Sequence, residues 1–281
     1  MYKSLPNYSQ VLRFSRNVFA LGALAASALT ANAANYTISD GNSSASIDGS
    51  SPTAMYSWLL NGINNLNSQT FMIGVNGAAE NTLNTLSAGT FTGFNGTRGV
   101  TVSYGNAQVG VSIDYLITGM SSTLSDIGES IRISNPTANE ITVHFFQYSD
   151  FNLAGTALGD SAAISANMFT GLYNTADQME GLLAFSESVH TPGAIGAQVS
   201  PTPVLFNMLT DGVANNLNNF TGPLGPGDMS WAFQWNFTIA AHDSVLISKD
   251  KYLNSNAVPE PSVLGLMGVG LVGWVIRRRR S

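Results

Sequence analysis

Three histidines, His144, His190 and His242, stand far apart in the 281-residue sequence, and none has the spacing that puts two imidazoles on one metal ion. His144 alternates with Phe146 and Tyr148, the pattern of a histidine packed on a sheet rather than of a ligand. Gly159-Asp160-Ser161 offers a hydroxyl beside a carboxylate, but the G-x-S-x-G elbow of a nucleophilic serine is missing, and a turn is expected there. Asp126 and Glu129 are types suited to paired acid–base work, yet their segment reads as a loop, where acids are exposed by default. Asp40-Gly41-Asn42-Ser43 and Asp48-Gly49-Ser50 bring together oxygen donors that suit calcium, without the ligand spacing of an EF-hand; Asp-Gly is first a turn pair. Trp58, Trp231 and Trp235 have flat faces that can stack on sugar rings, but Trp231 and Trp235 share their parity with Phe233, Phe237 and Ile239, a core pattern. No catalytic residue, metal site or cofactor is expected, and a structural or binding role is favoured over catalysis.

The elements that would position these residues are mainly strands. Residues 231–239 alternate strictly between large apolar and small or polar side chains, the period of a half-buried strand. Val109, Val111, Ile113, Tyr115 and Ile117 repeat it, Val100, Val102 and Tyr104 form a shorter strand before them, and Asn106 falls at the turn between. Ile131 and Ile133 lead into the turn pair Asn135-Pro136, after which 141–148 is expected to return as the next strand of a hairpin or meander. A turn at His242-Asp243 precedes the last strand, at 245–247. Short helices are expected at 176–185, with Met179, Leu182 and Leu183 inward, and at 203–209. The stretches 39–53 and 222–228 have loop chemistry. An all-β, antiparallel sandwich is the expected fold class.

Charge separates the middle of the chain from its ends. Seven of the eleven basic residues lie in the terminal segments, leaving Arg98, Arg132, Lys249 and Lys251 against sixteen acidic residues in 34–258, a net charge of −12. Such a surface repels nucleic acid and anionic lipid, whose binding needs clustered Lys and Arg. There is no cysteine, so neither a disulfide framework nor a thiolate metal site is possible.

The ends carry addressing signals. Lys3, Arg13 and Arg16 precede a small-residue-rich apolar run at 18–29, and Ala31-Asn32-Ala33 before Ala34 has the small residues of a signal-peptide cleavage site. No Arg-Arg pair precedes the run, which favours the general secretion machinery over the twin-arginine route. At the other end Val258-Pro259-Glu260-Pro261 cannot continue a helix backwards, because proline lacks an N–H and biases the preceding residue toward extended backbone. An apolar segment, 262–276, follows, then Arg277, Arg278, Arg279 and Arg280. At about 1.5 Å per residue that segment is roughly 22 Å of helix against a hydrocarbon core of about 30 Å, so it is a short anchor. The arginines hold their end in the cytoplasm and leave 34–258 on the outer side of the membrane.

Motif, apolar helix and arginine cluster, in that order, resemble the PEP-CTERM signal of Gram-negative bacteria that make exopolysaccharide. The resemblance implies an exosortase-like membrane protease that cuts near the motif and releases or transfers the protein to the cell surface; a permanent C-terminal anchor is the alternative. The blocks Ile131-Arg132-Ile133-Ser134-Asn135, Phe146-Gln147-Tyr148-Ser149-Asp150-Phe151, Ala232-Phe233-Gln234-Trp235 and Leu246-Ile247-Ser248-Lys249-Asp250-Lys251 are also similar to a recurring β-rich ectodomain of PEP-CTERM surface proteins, which brings no catalytic residues with it. The expected organisation is a signal peptide at 1–33, a Ser/Gly/Asp-rich segment at 34–54, a sandwich ectodomain at 55–253, a linker with the motif at 254–261, a transmembrane helix at 262–276 and a basic cytoplasmic tail at 277–281. The precursor is expected in the inner membrane with its ectodomain in the periplasm, and the mature form at the surface or in the extracellular matrix with exopolysaccharide as a partner. A carbohydrate-binding or adhesion module is the second reading and a secreted hydrolase the third.

Overall fold

The computed structural model describes residues 35–256. The signal-peptide positions Ala31, Ala33 and Ala34, the motif residues, the apolar segment and the terminal arginines lie outside that range. Among the described residues no helix is long and apolar enough to cross a membrane.

In chain order the strands are β1 (Asn35–Asp40), β2 (Ser43–Asp48), β3 (Met55–Leu60), β4 (Ile63–Asn64), β5 (Leu66–Val75) and β6 (Asn81–Thr82). Next come β7 (Thr90–Phe94), β8 (Gly99–Gly105), β9 (Gly110–Ser121), β10 (Leu124–Ser134), β11 (Ile141–Phe151) and β12 (Asp160–Ala166). The series ends with β13 (Tyr173–Glu180), β14 (Leu183–Thr191), β15 (Gly196–Pro201), β16 (Leu224–Gly227), β17 (Met229–Ile239) and β18 (Ser244–Asn254), with one short helix, α1 (Val204–Leu209), after β15. They form two antiparallel sheets. One runs β1-β2-β3-β5-β11-β17-β15, with β4 and β6 attached to β3 and β5; the other runs β16-β12-β13-β14-β18-β10-β9-β8-β7. The all-β sandwich expected from the period-two pattern is what forms.

Side-chain parity explains the core. On β9 and β10, Val111, Ile113, Ile117, Ile127, Ile131 and Ile133 all point inward, and the register sets Ile131 between Ile113 and Ile247. From the facing sheet come Phe71, Phe145, Phe151, Trp231, Phe233 and Trp235. Trp58 closes one end: its indole Nε1–H donates to Ser125 Oγ of the opposite sheet at 2.9 Å, and its ring meets Phe185 edge-on at 6.2 Å. The three tryptophans are at most 1% exposed, so they are core and offer no platform to a sugar. Aromatics of this size bury about 150–250 Å² each and dominate such a core.

Several local expectations are corrected. The pattern at 176–185 predicts a helix, but these residues form the β13–β14 hairpin. Gly181 supplies the turn at φ +59°, Ala176 and Gln178 share the inward face with Leu183 and Phe185, and Leu182 is exposed. The stretch 39–53 is largely a hairpin, β1–β2, in which small Ser43 and Ala45 alternate inward with Ile47. Leu224–Gly227, expected as turn only, pairs with β12. The Asn135-Pro136 turn does not join neighbours in a hairpin: it carries the chain from β10 in one sheet to β11 in the other. Asn135 Nδ2 donates there to the carbonyls of Ile239 and Ala240, tying this crossing to the last one, β17 to β18. The helix expected at 203–209 forms as α1, burying Leu205 and Leu209 against Phe146, Tyr148 and Ala232 on the outer face of the first sheet.

Candidate functional site

The outward face of the second sheet holds an open cleft of about 440 Å³. Its walls are Phe94 at the end of β7, Asp114 on β9, Ser130 on β10, and Ser248 and Asp250 on β18, with His190 on β14. Strand parity puts them together. Asp114 lies opposite Ser130 and Thr101, Ser130 opposite Ser248, and Gly128 opposite both Asp250 and Leu116. His190 keeps the outward parity of Ser186 and Ser188 on β14. The β14–β18 register shifts between Val189 and Thr191, and this bulge turns Thr191, which regular alternation would bury, outward beside it.

Two glycines shape the cleft. Gly99 lies opposite Phe94, and a Cβ on it would fall 2.3 Å from the Phe94 ring, so only glycine lets that ring lie over the strand at the rim. Gly128 makes the floor; a Cβ there would meet Asp250 Oδ1 at 3.9 Å and Leu116 O at 4.0 Å, ordinary contacts, and anything larger grows into the open space. A glycine inside a strand often marks such an approach.

The cleft is acidic. Thr101 Oγ1 donates to Asp114 Oδ1 at 2.6 Å. Asp126, partly buried on β10, hydrogen-bonds Asp250; burial first, then the neighbouring Asp250 charge and that hydrogen bond, raise its pKa to about 7. Carboxylates, hydroxyls, an imidazole and a ring edge around an open hollow provide acceptors for hydroxyl-rich ligands and an apolar surface beside them.

Directly beneath, on the inward face of the same strands, lies a buried ionic cluster. Glu129 on β10 pairs with Lys249 and Lys251 on β18, and Lys249 also reaches Glu187 of β14 at 3.3 Å. All four side chains are fully buried, and two carboxylates balance two amines. The opposite sheet supplies the rest: Gln69 Oε1 accepts from Lys251 at 3.0 Å, Gln69 Nε2 donates to Glu129 at 3.1 Å, and Gln147 Nε2 donates to Glu187 at 2.9 Å while its Oε1 accepts from Lys249. Burial pushes the Glu129 carboxyl up, but the two ammoniums beside it more than offset this and hold it below its ordinary value. Burial also pushes the Lys251 ammonium down, against the pull of Glu129.

The candidates raised by sequence divide accordingly. Asp126 and Glu129 are not on a loop: they sit on opposite faces of β10, and Glu129 is 2% exposed. Asp160 is not in a turn but begins β12, fully buried. His144 is half-buried on β11, His242 is at an exposed turn, and only His190 reaches the cleft. The Asp-Gly loops are turns: Asp48 Oδ1 accepts from Ser50 N, Ser50 Oγ and Ser51 N, while Asp40 takes Arg98 at 3.4 Å and the Gly119 N–H at 3.1 Å. Sequence reading missed the ionic cluster, although the signal was there: Lys249 and Lys251 share the parity of Ile247 and Leu253.

This fold is similar to those of sugar-active proteins. A bacterial glucoamylase complexed with acarbose superposes with a TM-score of 0.56 at 6% identity, over 84% of this chain and 34% of the other; the chain thus spans about a third of that enzyme. A galactose mutarotase-like protein from Lactobacillus casei ATCC 334 gives 0.52 at 8% identity, over 78% of this chain and 100% of the other. At such identities the likeness is one of fold. No curated protein sequence matches. Residues 257–280 match the PEP-CTERM protein-sorting motif, so the chain is a PEP-CTERM-tagged protein. The motif supports an exosortase-sorted protein with a membrane-anchored precursor and a surface or extracellular mature form.

Proposed function

We propose that this is an exported surface or matrix protein that holds exopolysaccharide in the cleft of its second sheet, after a signal peptidase cuts behind Ala33 and an exosortase-like protease cuts near Pro259-Glu260-Pro261. The acidic, open cleft between Phe94, Asp114, His190 and Asp250 carries the reading, because convergent acceptors beside an aromatic edge suit sugar hydroxyls and an open groove admits a polymer. The sugar-related names of the fold neighbours agree with it, as a likeness of fold only. Export from the periplasmic side follows from the terminal arginines by the positive-inside rule. A structural role in an exopolysaccharide biofilm is the setting in which such a protein works, with binding rather than turnover as its task.

Two measurements test this. The intact mass of the protein from cell surface and medium should correspond to a chain from about Ala34 to the region of Pro259; a chain still ending at Ser281 removes the exosortase step. Retention on a column of the producing cell's polysaccharide should fall at least tenfold in Phe94→Ala and Asp250→Asn. Equal retention of all three proteins would end the cleft reading.

A further inference from the structure

On the opposite side of the sandwich, beside α1, the outer face of the first sheet has a second hollow of about 280 Å³, lined by Asn67, Tyr148, Asp150, Thr202, Pro203 and Phe206. Asp150 is its unusual member. It is 2% exposed, and its two oxygens are treated unequally. Oδ2 accepts from Asn67 Nδ2 at 2.9 Å and from Tyr148 Oη at 3.4 Å, whereas Oδ1 has no donor among the described residues. A buried acceptor left unmet costs about 1–3 kcal/mol, more for a charged group, and such atoms are rare in native folds. The sequence provides two donors for one oxygen and, among the described residues, none for the other, and Asp150 lines the hollow.

The wall beside it is aromatic. Tyr148 and Phe206 meet edge-on with centroids 5.4 Å apart, and Pro203 continues the apolar surface. A bare divalent cation is a poor occupant of such a space, since hard cations take six or more oxygens and, among the described residues, Asp150 is the only carboxylate lining it, with Asp228 nearby. A ring with hydroxyls on its edge and C–H groups on its face matches both features.

We propose that this hollow is a second sugar subsite, in which Asp150 Oδ1 accepts hydrogen bonds from ring hydroxyls of a pyranose whose apolar face lies on Phe206. The substrate class rests on the reading of the protein as a polysaccharide binder, while the residues are independent of the first cleft. Sites on outer faces of opposing sheets cannot engage one sugar residue together, so a chain with both bridges two stretches of polysaccharide. Multivalent attachment of this kind raises apparent affinity without new contacts.

The test is calorimetric titration of the full-length chain, in a sugar-free zwitterionic detergent, with neutral gluco-, galacto- and manno-pentasaccharides. Two sites per chain are expected for the best of these. Asp150→Asn, nearly isosteric and so expected to fold, should leave one site of unchanged affinity, and Phe94→Ala should leave the other. A single site that Phe94→Ala abolishes and Asp150→Asn leaves intact overturns the second subsite and keeps the first. Absence of any binding removes both. A melting temperature raised by millimolar calcium in the wild type but not in Asp150→Asn identifies a cation at Asp150 and also overturns the proposal.

Discussion

Glu129 and Lys249 face each other directly across β10 and β18, in register and with no solvent exposure of either charged end. Desolvation of an ion costs several kcal/mol, which the pair recovers only because Lys251, Glu187, Gln69 and Gln147 meet the remaining donors and acceptors. The cluster therefore locks β10 and β18 in one register: a slip of β18 by one residue turns Lys249 and Lys251 outward, away from Glu129, and Ser248 and Asp250 inward.

Removing one member should cost far more than a surface charge does. Lys249→Met leaves Glu187 buried without its cation, and a loss of about 3–5 kcal/mol is expected, read from the urea midpoint at constant m-value. Adding Glu187→Leu removes the stranded charge and should restore part of the loss. A double variant no more stable than the single one would show that the two are not coupled.

The pH dependence has two opposed parts. Asp126 and Asp160 are raised to about 7 and Asp150 to about 6, mainly by burial, against an ordinary value of 3.8. Between these limits the folded protein holds more protons than the unfolded chain, so these groups make stability fall as pH rises from about 4 to 7. Glu129, held below its ordinary 4.5, acts the other way: its contribution is full above that value and lost as pH drops beneath it. A stability maximum at or below about pH 4, with a fall from there to pH 7, is expected in urea titrations at several pH values. Asp160→Asn, which removes a carboxyl raised by burial and by the neighbouring Glu180, should flatten the slope between pH 5 and 7.

How much of this was legible follows from parity. Where one face is large and apolar and the other small or polar, as at 231–239, the strand and its inward tryptophans could be read directly. Where charge sits on the inward parity, as in Lys249 and Lys251, the same rule pointed inside, but burial of lysine makes sense only once Glu129 and Glu187 from other strands are known. The cleft was hidden for a related reason. Phe94, Asp114, His190 and Asp250 span more than 150 positions and meet only through the pairing of distant strands, which no local pattern signals. At 176–185 helix-forming side chains outweighed Gly181, whose positive φ decides for a hairpin.

Gly181 is for that reason a sharp test of the corrected hairpin. At φ +59° a β-branched residue is strained, and Gly181→Val should destabilise by about 1–2 kcal/mol. Nothing lies within 4 Å of its Cβ position, so the loss would be conformational rather than steric. If 176–185 were helical, the same change would remove a mid-helix glycine and leave stability equal or higher. The sign of the shift in melting temperature separates the two.

Gly128 separates folding from binding at the cleft. A side chain at this floor position projects between Asp250 and Leu116, and its Cβ finds only ordinary contacts, so the backbone need not move. Its inward neighbours Ile127 and Glu129 keep their places, and Gly128→Leu should leave the urea midpoint within about 0.5 kcal/mol, as for other exposed substitutions. The leucine takes up space that a sugar ring would occupy, and retention on the polysaccharide column should fall at least tenfold. Gly128→Ala, which adds only the Cβ, should fall between this variant and the wild type. Full retention in Gly128→Leu would mean that polysaccharide does not lie on this floor and that its contacts are confined to the rim around Phe94.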